Sequence, residues 1–198
     1  MAKLGNYGKA DVCLILEGTY PYVTGGVSGW AHELIQEQSH LSFHLLAIVP
    51  RDADLELKYQ LPNNVVGLTT VRLNDLPEGG VSSAMVARRL HNLLRDPIAS
   101  LTSKKPMELE ELKKVIQALS SAPGDLGTNT LLDHEEAWDQ LIALYEATYP
   151  DQSFLDYFWS HRAIVGGLYS MLLAPLPQAD IYHAMSTGYA GLLAARAK

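Results

Sequence analysis

Little in this sequence points to disulfides, nucleic acids or a membrane. There is one cysteine, Cys13, in 198 residues, so no intrachain disulfide can form, and a thiol inside an apolar run acts as a small core hydrophobe. Basic residues are few and scattered: 15 Lys and Arg against 22 Asp and Glu leave a formal net charge of −7. With no run of Lys or Arg, a phosphate backbone would be repelled overall, which argues against nucleic-acid partners. No apolar h-region follows Met-Ala-Lys-Leu-Gly-Asn-Tyr-Gly-Lys at the start, which argues against a secretory signal. The longest uncharged stretch, 163–179, is interrupted by Gly166, Gly167, Pro175 and Pro177 and falls short of the about 20 apolar residues that a spanning helix needs. A cytoplasmic protein is expected.

Metal and triphosphate signatures are also missing. The histidines show no zinc-like spacing with cysteines or carboxylates, and His134-Glu135-Glu136 is not His-Glu-x-x-His, so no bound metal is expected. No Gly-Lys-Ser/Thr follows a glycine-rich loop, which argues against a phosphate-cradling ATPase. What remains is an ordinary globular composition, 47% hydrophobic and 19% charged with mean hydropathy near zero, in a chain long enough for one domain with a sizeable core.

Strand-like segments lie at the two ends of the chain. Residues 11–16 (Asp-Val-Cys-Leu-Ile-Leu), 43–49 and 65–73 read as strands, the first two apolar enough to be covered on both faces, as in a parallel sheet. Residues 55–61 could add a short strand or hairpin arm, and a last strand is expected at 180–184, followed by a helix from Gly188 with Ser186 or Thr187 as N-cap. Between them the pattern turns helical, giving an expected insertion at 82–175. Within it, Met85, Val86, Leu90, Leu93 and Leu94 form one helical stripe ending before Pro97. Pro106 opens a second helix, with Glu108, Glu110 and Glu111 at its start. Asp133 with Glu136 and Ser153 with Asp156 cap two more, and a loop falls at 121–125. The expected fold is α/β, a mostly parallel sheet interrupted by helices.

The first strand runs into Glu17-Gly18-Thr19-Tyr20-Pro21-Tyr22-Val23-Thr24-Gly25-Gly26-Val27-Ser28. Paired glycines remove Cβ atoms from a loop that opens a helix, and a helix start offers unpaired amides and the positive end of a dipole. Such places bind phosphates and other anions; the alternative is a loop that only needs glycine to enter the helix. That helix is expected to bury Val27, Trp30, Ala31, Leu34 and Ile35. Ligands of doubly wound sheets sit beyond the carboxyl ends of the strands, where this loop and the loop 183–188 both fall. A dinucleotide enzyme is disfavoured, because Gly25-Gly26-x-x-Gly29 is not Gly-x-Gly-x-x-Gly.

Two segments carry a family resemblance: 17–35, EGTYPYVTGGVSGWAHELI, and 179–198, ADIYHAMSTGYAGLLAARAK. Together they resemble the N-terminal region of the Pel exopolysaccharide (PelF-like) glycosyltransferases, family-four retaining enzymes of GT-B fold. The resemblance spans essentially the whole chain, helical insertion included. It implies a Rossmann-like N-terminal lobe, a single incomplete α/β domain over 1–198, that holds the acceptor while its glycine loop reaches the donor's sugar and diphosphate. UDP-glucose is the implied donor, a substrate with no further cofactor, and a glycan is the acceptor; membrane-bound polysaccharide synthase components are possible partners. Gly25 and Gly26 match the loop glycines, Glu17 and Gly18 its entry, and His183 a histidine at the end of a later strand.

The candidate substrate-binding residues are therefore Glu17, Gly18, Gly25, Gly26, Val27, Ser28, Ser186, Thr187 and Gly188, with His183 the catalytic candidate. A structural alternative stands beside each role: Glu17 as a cap of the following loop, Ser28, Ser186 and Thr187 as helix caps, His183 as a residue bonded only to backbone, and Tyr20 and Tyr22 as packing for the loop instead of a stacking surface for a sugar. A non-catalytic module docking onto a synthase complex is the competing function. The last helix is expected to belong to a longer protein, because it stops among favourable residues without a C-cap glycine. The family's paired glutamates and donor-binding basic residues belong to its C-terminal lobe, and such charges stabilise a leaving diphosphate. The 198-residue chain by itself is accordingly expected to show no sugar transfer or donor hydrolysis; turnover of UDP-glucose by the purified chain, followed by UDP release, would overturn this.

Overall fold

The computed structural model describes residues 8–80, 84–102, 108–122 and 126–198. Among these residues four strands form: β1 (Ala10–Glu17), β2 (Phe43–Val49), β3 (Val65–Arg72) and β4 (Ala179–Ala184). All pairs are parallel, in the order β3-β2-β1-β4, which is Rossmann-like. Among the described residues there are seven helices: α1 (Gly26–Glu37), α2 (Ala84–Thr102), α3 (Leu109–Ser120), α4 (Thr128–Leu131), α5 (Glu135–Thr148), α6 (Phe154–Leu173) and α7 (Gly188–Ala197). None is long and apolar enough to cross a membrane. The chain divides into two compact units, Met1–Leu73 with Ala174–Lys198, and Asn74–Leu173.

The first unit is the sheet. Cys13, Leu14, Ile15 and Leu16 of β1 and Leu45 and Leu46 of β2 are fully buried, as continuous apolar strands at the middle of a parallel sheet must be. On one face Val12, Leu14 and Leu16 cluster with Phe43, Leu45, Tyr20, Ala31 and Ile35. Helix α1 buries Ser28, Ala31 and Ile35: Ala31 and Ile35 of the expected stripe turn inward, whereas Val27 and Trp30 are each 51% exposed. Small side chains at 28 and 31 let the helix lie close to the sheet, and that close approach outweighs burial of the larger Val27 and Trp30. At its far end, Asn64 Nδ2 donates to the carbonyls of Ile35, Gln38 and Leu41, tying the end of α1 to the turn before β3. Helix α7 packs on β1 and β4.

Residues 55–61 form no strand. Both edges of β2 are already taken by β1 and β3, and the alternating charges Asp54, Glu56 and Lys58 lie in a fully exposed stretch. Only Tyr59 and Leu61 turn inward onto the core, while the Lys58 amide donates to Pro21 O (2.9 Å).

The second unit is helical. Helix α2 does not end at Pro97 but passes through it. Its buried stripe is Ala87, Leu90, Leu94 and Ile98, with Met85 and Leu93 exposed. Ile98 continues the stripe one turn beyond the proline, so packing offsets the hydrogen bond that proline removes. Buried His91 joins α2 to α4 and α5: its Nε2 lies 2.8 Å from Thr130 O, and Gln140 Nε2 donates to His91 O. Helix α3 carries a capping box between Glu108 and Glu111; Ser82, Pro106 and 123–125 of the expected loop lie outside the described residues. The α5 cap is His134, which accepts from Glu136 N, and not Asp133. Asp133 instead takes Arg162 Nη2 at 2.6 Å, a stronger, charge-assisted partner. Ser153 Oγ accepts from Asp156 N (3.4 Å) at the start of α6.

Three stability outcomes follow from this packing. Leu14→Ala should destabilise the protein by about 2–5 kcal/mol, read from denaturant midpoints, because it opens a cavity at a fully buried site. Gly127→Ala should also destabilise: its Cβ would fall 2.6 Å from Glu78 C and Gly79 N, backbone atoms that cannot swing aside. Burial pushes the Cys13 thiol up to about 12 from an ordinary 9.0. It should therefore resist thiol reagents at pH 8 until the chain unfolds, and its contribution to stability should fall away as pH rises from about 9 toward about 12, where only the unfolded chain readily ionises.

Candidate functional site

In the order β3-β2-β1-β4 the chain leaves β1 toward β2 on one side and reaches β4 on the other, so the reversal falls between β1 and β4. Crevices at such a switch point, beyond the carboxyl ends of the strands, are where open α/β sheets bind ligands. Register pairs Ile15 with Ala184, which puts Glu17-Gly18 and Met185–Gly188 side by side at that edge.

The first loop is held down by its aromatic residues. Gly18 N donates to Ile48 O (2.9 Å), extending the sheet by one bond, and Gly18 then turns with φ 63, a conformation that favours glycine. Tyr20 is fully buried; its hydroxyl lies 3.1 Å from His32 Nδ1 and its ring packs against Tyr59 and His32. Burial, then the neighbouring Tyr59, raises the Tyr20 phenol to about 12, so it stays neutral near pH 7. The Tyr22 hydroxyl lies 2.7 Å from Thr70 Oγ1. Both tyrosines thus pack the loop and neither is free to stack on a sugar.

Beyond them the backbone is open. Gly25 has φ 159 and ψ 178, an arrangement that side-chain-bearing residues rarely adopt. Nothing lies within 4 Å of a Cβ built at Gly25 or Gly26. Helix α1 has no side-chain cap bond and no acidic residue in its first turn. Its ladder begins with Gly29 N donating to Gly25 O (2.8 Å), so the amides of Gly26, Val27 and Ser28 precede it, at the positive end of the helix dipole. The Val27 side chain is exposed there. The Ser28 side chain is buried against the sheet, so Ser28 can offer a ligand its amide but not its hydroxyl.

The start of α7 is different, because the protein fills it. Gly188 has φ 53, and Thr187 is the N-cap residue but makes no side-chain cap bond. The anion is Glu17: its Oε2 accepts from Ala190 N (3.3 Å) and lies 3.5 Å from Ser186 Oγ. A carboxylate at a helix start is favoured by the dipole and satisfies an orphan amide. The same charge, after burial, raises the Tyr189 phenol. Glu17 therefore caps a helix, though not that of its own loop. Met185 N donates to Ile15 O (3.0 Å), and the Met185 side chain packs on the cluster that contains Tyr20.

His183 pairs in register with Leu14, and by the alternation of the pleat it shares Leu14's face of the sheet, whereas Glu17 lies on the opposite face. It is exposed. The structure thus brings Glu17 together with Ser186, Gly188 and Ala190, sets Gly25 and Gly26 at the start of α1, and separates His183 from Glu17 by the thickness of the sheet. Among the described residues no group of His, Cys, Asp or Glu is arranged to hold a metal ion.

Residues 10–198 match a family described as a domain of unknown function, DUF3492. The chain belongs to this family. That membership is consistent with the N-terminal region of a glycosyltransferase-like protein. No curated protein and no solved structure matches the chain.

The bond between Glu17 and α7 could not be found in the sequence, because its partners are 173 positions apart. Removing it gives a direct measurement. Glu17→Ala should cost about 0.5–2 kcal/mol, the range for lost side-chain caps, with faster amide exchange at Tyr189 and Ala190. Glu17→Gln, which keeps an acceptor, should recover most of that loss.

Proposed function

We propose that this chain is the acceptor-side lobe of a retaining glycosyltransferase that uses a nucleotide sugar. The observation that carries the reading is the open start of α1. Paired glycines with no atom within 4 Å of either built Cβ lead into uncapped amides at the carboxyl edge of a Rossmann-like sheet. An anion fits there and not at the neighbouring α7 start, which Glu17 already occupies. In this reading the Gly25–Gly26 backbone faces the sugar and diphosphate, and Gly18 lets the chain turn out of β1. Glu17 fixes Ser186 and Gly188, which form the floor on the acceptor side. The resemblance of 17–35 and 179–198 to the Pel exopolysaccharide enzymes supports UDP-glucose as donor and a bacterial matrix polysaccharide as product. The groups that stabilise the departing diphosphate would come from a second lobe, and His183, on the α1 face of β4, is the candidate catalytic side chain of this chain.

A second reading, a docking module for synthase components, is favoured by a separate observation. The helical unit exposes Leu155 (63%) and Trp159 (59%), one turn apart on α6, and Trp138 on α5, and large exposed apolar side chains are the raw material of interaction sites.

Gly26→Trp in the two-lobed enzyme separates the readings. A side chain there has open space, so folding should survive. A ligand-facing backbone would be blocked, lowering kcat/KM by roughly a hundredfold or more, the scale of a misplaced reactant. Unchanged kinetics in a folded variant would argue for a structural loop and shift weight to docking. In that case Trp159→Ala should impair co-purification with synthase components and leave transfer intact.

A further inference from the structure

The helical unit contains a cavity of about 480 Å³ that the proposed transfer does not use. Its size falls within the roughly 300–1,000 Å³ typical of small-molecule sites. Residues of the α5–α6 turn and the first half of α6 wall it, and Ile98 of α2 and Val165 give it an apolar floor. Tyr149 and Tyr157 stand at one side with ring centroids 5.8 Å apart and planes tilted by 44°, and the Tyr157 ring stacks on His161 at 5.7 Å. The polar lining is Gln152, Ser153, Asp156, Ser160 and His161. His161 Nδ1 is buried without a hydrogen-bond partner, a state that native proteins seldom leave unexplained.

We propose that this cavity binds a neutral pyranose ring of a glycan, at a site separate from the sheet edge. The lining selects that chemistry by elimination and by fit. Among the described residues no Lys or Arg lines the cavity, and Asp156 is the one carboxylate there. Burial lowers the proton affinity of His161, so the imidazole adds no positive charge near neutrality. A phosphate or nucleotide would therefore meet the Asp156 carboxylate with no cationic side chain among the described lining residues to offset it. A wholly apolar ligand would strip water from Asp156, Gln152 and Ser160 and give nothing back. A pyranose matches both sets of groups: its C–H faces pack against tyrosine rings, and its equatorial hydroxyls donate to Asp156 and exchange hydrogen bonds with Gln152 and Ser160. The ring could belong to a free sugar or to a residue within a chain; the chemistry of the cavity is the same for both.

The test is titration calorimetry on the full 198-residue chain with methyl glucoside, N-acetylglucosamine and β-linked tetramers of each, with adenosine and inorganic phosphate as contrasts. Tyr149→Ala and Asp156→Asn alter exposed lining residues and should leave the fold intact, as checked by circular dichroism and melting. Saturable binding of any of the sugars, weakened at least tenfold in both variants and unchanged in Gly26→Trp, supports the site. Tighter binding of tetramers than of monomers assigns it to a chain, and equal binding assigns it to a single ring. No saturable sugar binding, preferential binding of adenosine or phosphate, or sugar binding lost in Gly26→Trp but kept in both cavity variants would each overturn it. Failure here leaves the sheet-edge reading standing, since that rests on the Gly26→Trp kinetics.

Discussion

The pairing of β1 with β4 is the contact on which the candidate site depends. It joins Ala10 to Ala179 and Ile15 to Ala184, segments separated by the whole helical unit. Closing so long a loop adds only slowly to the entropy cost, because that cost grows with the logarithm of length. The intervening residues also form a compact unit of their own, which removes much of the freedom a flexible loop would lose. Once β4 is beside β1, the sheet acquires its reversal of strand order, Glu17 reaches α7, and Met185 packs on the core cluster that contains Tyr20. Without that pairing the same residues would be two unrelated loops.

Two helix starts at one sheet edge are treated in opposite ways. At α7 the protein supplies its own anion, Glu17, and nothing is left for an outside phosphate unless that carboxylate withdraws. At α1 there is no acidic side chain, no side-chain cap and no Cβ at two successive positions. Stability alone would favour capping both. An uncapped helix start preceded by a glycine in a strained conformation is the kind of local inconsistency that functional sites retain. The histidines mostly serve structure: His91 bridges three helices, His134 caps α5 and His32 meets Tyr20.

The central strands were legible because burial on both faces demands a continuous apolar run; 43–49 matches β2 at both ends, and 11–16 lies within β1. The Gly25–Gly26 helix entry was legible because Gly25 takes a φ of 159, a conformation that residues with a side chain rarely adopt. Helix faces were legible only in part. Periodicity marks every 3.6-residue stripe that contains apolar residues, but beside the expected Ala31 and Ile35 α1 buries Ser28 and not Val27 or Trp30, and beside the expected Leu90 and Leu94 α2 buries Ala87 and not Met85. Which stripe turns inward depends on how closely the neighbouring element can approach. The end of α2 was misplaced for a related reason: the local rule at Pro97 yields to the burial of Ile98.

By itself the sequence determined the α/β class, the parallel sheet, the glycine-rich crossing from β1 to α1 and the helical character of the middle of the chain. Each of these is set by local pattern: apolar continuity, 3.6-residue repetition, or a backbone conformation open only to glycine. Tertiary structure alone decided that Glu17 serves α7, that Ser28 turns inward, that His183 and Glu17 face opposite sides of the sheet, and that Tyr149, Asp156 and His161 line one cavity. Those are relations between residues whose side chains meet only after packing, and packing depends on volume and approach distance, quantities that hydrophobic pattern does not encode.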